Sequence, residues 1–292
     1  MDQCTRDGLV FDVRDDGPPD GQAVVLLHGW PQDHTAWQRV TPLLNAAGLR
    51  TLAPDQRGYS RGARPTRPTA YGMRELVADV VALLDQAGVD RAHLVGHDWG
   101  GSVARAVAER HPERLRSLTV LSTPHHRAMG WAVRHGDQGL RSLYSVAFQV
   151  PRLPELVLQA GLPLVLRSSG LPAEDVHRYA ARFREPGAAS GGLNWYRALP
   201  LRRGLGRLVR TALPGGHGGG NAAGSPSTRP RRISVPTTYV WGSDDPALGR
   251  AAAERTERYV ASDYRFVELD AGHWLPETRP QRVAEEIIAR TS

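Results

Sequence analysis

The chain has 292 residues, enough to bury one large core, and its 40% hydrophobic content is that of a globular protein rather than a disordered or fibrous one. A single cysteine, Cys4, excludes an intramolecular disulfide and any cysteine-based metal cluster. The formal net charge of +7 rests on 37 basic residues, all arginine and spread over every segment, which points to composition rather than to a nucleic-acid-binding face. The densest group, Arg229, Arg231 and Arg232, falls in a loop-like stretch. No run of about 18 uncharged apolar residues occurs, so no membrane helix is expected. The polar, acidic start from Met1 to Asp7 has no leader-like pattern, and a cytoplasmic location is expected.

Cys4 to Val13 reads as an edge strand, closed by the turn-rich run from Asp15 to Gly21. Ala23 to Leu27 is continuously apolar, as in a strand covered on both faces, and it empties into His28-Gly29-Trp30-Pro31. Trp37 to Ala47 is predicted helical, Leu49 to Ala53 a strand, and Pro54 to Pro68 a loop. From Met73, the residues Leu76, Val77, Val80, Val81 and Leu84 recur at helical spacing until Gly88. A strand from Arg91 to Val95, a helix from Ser102 to His111 and a strand from Leu118 to Leu121 follow. This alternation predicts an α/β fold with a mostly parallel sheet covered by helices on both faces.

The alternation stops after Pro124. From His125 to Leu213 the pattern is helical, with Leu140, Leu143, Tyr144, Ala147 and Phe148 on one face and Val176, Tyr179, Ala180 and Phe183 on another, behind Pro172. Pro214 to Arg232 is rich in Gly, Pro and Ser and reads as a flexible loop. Strands resume at Thr237 to Trp241 and Tyr264 to Leu269, with helices near Ala251 to Tyr259 and Gln281 to Arg290. The expected division is therefore a core over 1–124 and 233–292, a helical cap over 125–213 and a loop over 214–232.

Between one strand and the next helix lies Gly96-His97-Asp98-Trp99-Gly100-Gly101, the setting of a nucleophile elbow with a carboxylate at its tip. Two later strand ends carry the partners such a nucleophile needs. Trp241-Gly242-Ser243-Asp244-Asp245 supplies acids and Ala271-Gly272-His273-Trp274 a histidine, at the edge where open α/β sheets build sites. Asp244 and Asp245 compete for the acid role, and either could instead cap the next helix. An aspartate is ionised at neutral pH, with a reference pKa of about 3.9, and attacks without a base. On a carbonyl it would give an anhydride; on a saturated carbon it gives an ester that histidine-activated water can cleave. The electrophile should therefore be an epoxide or a halide.

With His28-Gly29-Trp30-Pro31, Asp55-Gln56-Arg57-Gly58-Tyr59-Ser60, Gly96 to Gly101, Trp241 to Asp245 and Gly272-His273, nearly the whole chain resembles the α/β-hydrolase-fold epoxide hydrolases, which share some motifs with haloalkane dehalogenases. The resemblance implies Asp98 as nucleophile, His273 as base and Asp245, four residues after Trp241, as its orienting acid. It implies an oxyanion hole from the main-chain N–H groups of Trp30 and Trp99, and a cis Trp30–Pro31 bond. Two cap tyrosines would protonate the oxirane oxygen. Ser142 to Gln149 matches the first tyrosine motif and Leu193-Asn194-Trp195-Tyr196-Arg197 the second, giving Tyr144 and Tyr196. A one-residue rotation would exchange Tyr196 for Trp195, while Tyr179 fits packing and His125 and His126 fit structural or solvated places. Ser60 stands where the family usually has glycine. The implied substrates are a small hydrophobic epoxide and water, with no metal or cofactor, no nucleic-acid or membrane partner, and room for a homodimer. The alternatives are a haloalkane dehalogenase, for which paired Trp30 and Trp99 could cradle a halide, and a non-catalytic ligand receptor on the same fold.

Overall fold

The alternation of strands and helices becomes one eight-stranded sheet. In this computed structural model, which describes residues 1–199 and 232–291, the strands are β1 (Gln3–Arg6), β2 (Leu9–Asp16), β3 (Ala23–Leu27), β4 (Arg50–Pro54), β5 (Ala92–His97), β6 (Leu115–Leu121), β7 (Thr237–Gly242) and β8 (Tyr264–Leu269). Their order is β1-β2-β4-β3-β5-β6-β7-β8, parallel from β4 onward, with β1 and β2 antiparallel at one edge. Side chains alternate across the sheet. Val25, Leu27 and Leu94 join the core on one face, and Val24, Leu26 and Val95 the core on the other. Helices cover both faces, which is why the central strands read as unbroken apolar runs.

The edge strand expected over Cys4 to Val13 is two strands. They turn at Asp7 and Gly8, both at positive φ (52° and 77°), and Asp-Gly is itself a two-residue hairpin signal. The helix expected over Trp37 to Ala47 divides into a 3-10 turn (His34–Trp37) and α1 (Thr41–Ala46), with Pro42 placed in the first turn of α1. Helix α2 (Met73–Gln86) buries Leu76, Val77, Val80, Leu83 and Leu84, each contributing on the order of 1.5–3 kcal/mol. Helix α3 (Trp99–Arg110) begins three residues earlier than the periodicity indicates, directly after Asp98.

Between β6 and β7 lie α4 (His126–His135), α5 (Gln138–Arg141), α6 (Leu143–Ala147), α7 (Leu153–Ser168), α8 (Ala173–Phe183) and α9 (Ala188–Arg197), with no strand among the described residues 125–199. The single apolar face expected over 140–148 is interrupted at Ser142, leaving Leu140 and Leu143 exposed while Phe148 is buried. Helix α8 buries Val176, Tyr179, Ala180 and Phe183 as its spacing predicts. It is fastened to the core by ion pairs of Arg39 with Asp175 (2.9 Å) and of Arg182 with Asp55. The loop expected over 214–232 and the cap residues 200–213 lie outside the described residues, Arg232 excepted. The chain ends with α10 (Arg250–Arg255), α11 (Leu275–Thr278) and α12 (Pro280–Thr291), so the helix expected to Tyr259 finishes instead as a 3-10 turn.

Candidate active site

Asp98 sits between β5 and α3 at φ 50° and ψ −120°, a conformation that costs an ordinary residue about 1–3 kcal/mol. The surroundings impose it. A Cβ at Gly96 would lie 2.3 Å from the Gly100 oxygen, and one at Gly100 would lie 2.2 Å from the Leu27 oxygen. Only glycines let the start of α3 press this closely on β3 and β5, and the turn lifts Asp98 above the strand ends. The Thr123 hydroxyl donates to the Asp98 carbonyl (2.7 Å) and braces the turn.

The Asp98 carboxylate uses its two oxygens differently. Oδ1 accepts the Trp30 main-chain N–H at 2.8 Å, and the Trp99 amide also bonds the carboxylate. Oδ2 faces His273 Nε2 at 3.7 Å. Burial raises the Asp98 pKa, opposed by the His273 charge and the two amides. The Trp30–Pro31 bond that brings the first amide here is cis, as the resemblance implies.

His273 Nδ1 donates to Asp245 Oδ2 at 2.8 Å. Asp245 is the acid that meets His273, and its Oδ1 also holds the turn that follows, accepting the N–H groups of Ala247 (2.8 Å) and Leu248 (3.0 Å). Neither acid caps the next helix, α10, which starts behind Gly249 without a side-chain cap. Burial lowers the His273 pKa, but the charges of Asp245, Asp98 and Glu277 outweigh it and raise the ring to about 9. The resting site thus holds an imidazolium between two carboxylates.

Tyr144 and Tyr196 face this group from the helical insertion. Their rings lie 5.9 Å apart and their hydroxyls interact. Tyr196 packs edge-on against Trp99 (5.1 Å) and Trp30 (5.9 Å). Burial, with Asp98 nearby, pushes both phenols above their ordinary range, so both carry their protons at neutral pH. Tyr144 is 42% exposed as a residue, yet its hydroxyl lies in the enclosed part of the site. Trp195 turns away and donates its indole N–H to the Arg57 carbonyl (2.8 Å), so the helix rotation favours Tyr196. The Trp30 indole N–H is buried without a partner, and Gly192 crowds it closely enough that a Cβ there would lie 3.2 Å away. A cavity of about 490 Å³ joins Asp98, Trp99, Tyr144 and Tyr196 to Met129 and Leu248.

Other residues singled out in the sequence take structural places. Tyr179 is buried and donates to Glu277 Oε1 (2.8 Å). Ser60 adopts an ordinary φ of −60°, and its hydroxyl bridges Asp12 N and Asp55 O at 2.8 Å each, so no glycine is required there. Glu109, His125 and His126 cluster as metal ligands could. His125 Nδ1 accepts the Arg127 N–H (3.2 Å), which leaves the proton on Nε2 to be donated to Glu109 (2.9 Å). That tautomer makes His125 a hydrogen-bonded post rather than a ligand.

Residues 22–161 match the family model for the alpha/beta hydrolase fold. The chain is 33% identical to the AB hydrolase superfamily protein YfhM of Bacillus subtilis, covering 96% of this chain and 94% of that protein. It is 30% identical to Epoxide hydrolase A of Mycobacterium tuberculosis over the same shares of the two chains. It belongs to the α/β-hydrolase-fold epoxide hydrolase family. Among solved structures, one of the epoxide hydrolases from metagenomes of hot environments superposes with a TM-score of 0.82 at 28% identity, covering 99% of this chain and 97% of that one. Epoxide Hydrolase A from Mycobacterium thermoresistibile gives 0.77 at 26% identity, covering 99% and 96%. As a member of this family the protein is a hydrolase, and no helix among its described residues is long and apolar enough to cross a membrane. Three buried residues of the site, Gln32, His97 and Glu277, receive no role from the sequence alone, because they face one another only after three separate chain segments meet.

Proposed function

We propose that the protein hydrolyses an apolar epoxide to a vicinal diol in two steps. The observation that carries this reading is the division of labour in the Asp98 carboxylate at the cavity wall, Oδ1 on the Trp30 main-chain amide and Oδ2 turned toward His273. Asp98 Oδ2 forms a bond to one oxirane carbon, the carbon–oxygen bond breaks, and the departing oxygen takes a proton from Tyr144 or Tyr196. A phenol suits this because it keeps its proton at neutral pH and still releases it to an alkoxide.

Ester formation removes the Asp98 charge, one of the charges that hold the His273 proton. The imidazolium then gives up its proton, which restores the tyrosinate left by ring opening, and the neutral ring becomes a competent base. Oriented by Asp245, it takes a proton from water, whose oxygen attacks the ester carbonyl carbon. The resulting oxyanion forms where Oδ1 already sits, on the Trp30 and Trp99 amides, and each such donor is typically worth about 3–4 kcal/mol. Collapse expels the diol oxygen, which takes the remaining proton of the attacking water, and restores the carboxylate. Two tyrosines facing Asp98 and a buried Trp30 indole N–H favour this reading over a haloalkane dehalogenase, which needs open N–H donors for its halide.

The test is the intact mass of a His273→Gln protein mixed with epoxides and, separately, with haloalkanes. Without the base the ester accumulates, and a gain equal to the whole epoxide, mapped to Asp98, is expected. A gain of the alkyl group alone, with halide released, would identify the dehalogenase; saturable binding with no adduct would identify a receptor.

A further inference from the structure

A buried carboxylate unused by this mechanism stands behind the base. Glu277, in α11, is 4% exposed. Its Oε1 accepts Gln32 Nε2–H at 2.6 Å and the Tyr179 hydroxyl at 2.8 Å, while Oε2 has no partner. Gln32 is fixed in orientation, because its Oε1 accepts the Gly29 N–H at 2.7 Å. The same Oε1 lies 2.9 Å from Nδ1 of His97, and the other nitrogen of His97 lies 2.9 Å from the main-chain oxygen of His273. The rings of His97 and His273 are 4.9 Å apart, and Ser122 donates its hydroxyl to the same carbonyl at 2.8 Å.

We propose that Glu277 is a positioning residue for the water-activating half of the reaction, acting through Gln32 and His97 on the main chain that carries His273 and tying it to the helical insertion through Tyr179. This inference rests on the two-step reading above. A buried acid is costly to keep, and a glutamine or leucine would fill the volume more cheaply. Its effect on the base is twofold. The chain of contacts fixes where Nε2 points, and the negative charge raises the proton affinity of His273 alongside Asp245 and Asp98. Burial, with Asp175 beyond, raises Glu277 itself to about 7, while Gln32 and Tyr179 hold it down. Burial and the nearby His273 charge hold His97 well below its ordinary value, so the ring stays neutral, and its single N–H donates to one of these two acceptors at a time.

The test separates the two half-reactions in Glu277→Gln and Tyr179→Phe proteins by rapid quench and intact mass, across pH. Glu277→Gln keeps the size and one acceptor and removes the charge. Ester hydrolysis is expected to slow about 10-fold and ester formation to stay within about twofold, with the hydrolysis midpoint moved to lower pH by about half a unit or more. Tyr179→Phe should give the same split more weakly. NMR titration of the His273 imidazole in the resting protein should show a lower midpoint in Glu277→Gln, a readout that needs no turnover. Hydrolysis at the wild-type rate, equal slowing of both steps, or an unmoved His273 midpoint would each overturn the proposal. If instead no ester forms on the wild-type protein, the reaction assigned above fails, and the His273 titration still decides the role of Glu277.

Discussion

Asp98, Asp245 and His273 on the sheet side and Tyr144 and Tyr196 on the helical side meet at one cavity, but they are held there by different means. Every sheet-side residue stands just past a strand end and is fixed by hydrogen bonds to named partners: an amide on Asp98 Oδ1, two amides and an imidazole on Asp245, a carboxylate on His273 Nδ1. The tyrosines are held chiefly by ring packing, against Trp99, Trp30, Phe148 and each other. Tyr144 sits on a five-residue helix whose Leu143 and Val146 are exposed. Hydrogen bonds fix angles and packing fixes only proximity, so the sheet side is built to place lone pairs and the helical side to fit different shapes.

The comparison can be broken most sharply at Asp245. Asp245→Asn preserves an acceptor for Ala247 and Leu248, so melting temperature should change little. It presents an amide N–H to His273 Nδ1 and forces the wrong tautomer, so diol formation should fall about 10²–10⁴-fold, with ester accumulating. Loss of folding in place of that accumulation would show that the acid serves the turn alone. On the helical side, Tyr144→Phe and Tyr196→Phe should each slow ester formation about 10-fold or more in single-turnover measurements while leaving ester hydrolysis intact. Unchanged ester formation in both proteins would remove the tyrosines from the mechanism and leave them as packing.

The smallest effect is on stability. His273 is raised to about 9 in the folded protein from an ordinary 6.5. Between those values the folded state holds a proton that the unfolded state has lost, so the stability His273 contributes is fully present below about pH 6.5 and is lost as pH rises toward 9. Thermal melting across this window should show that decline, and His273→Gln should flatten it. No comparable term is expected from either tyrosine below pH 9, since both stay protonated.

Legibility followed the same divide. The sheet order could not be read from the chain, but the elbow and the two strand-end partners could, because each lies in a short stretch whose glycines and apolar run are local signals. Asp7-Gly8 was a signal of that kind too, and an edge strand read straight through it conceals a hairpin. The helical insertion was harder. Periodicity places Tyr144 with Leu140 and Leu143 on one face, whereas the helix breaks at Ser142 and turns those leucines outward. Tyr196 and Trp195 are both buried, and only the Arg57 carbonyl that receives the indole distinguishes them. Glu277, Gln32 and His97 come from three segments and make sense only as a chain of contacts, which no local pattern encodes.

The two oxygens of Asp245 have a bearing on how related chains should be surveyed. One oxygen holds the turn from Asp245 to Leu248, and the other serves His273. A descendant that had abandoned hydrolysis would still profit from an acid at this position, so its presence is poor testimony to a living enzyme. His273 offers its ring to the site and to no turn, and it is the better witness.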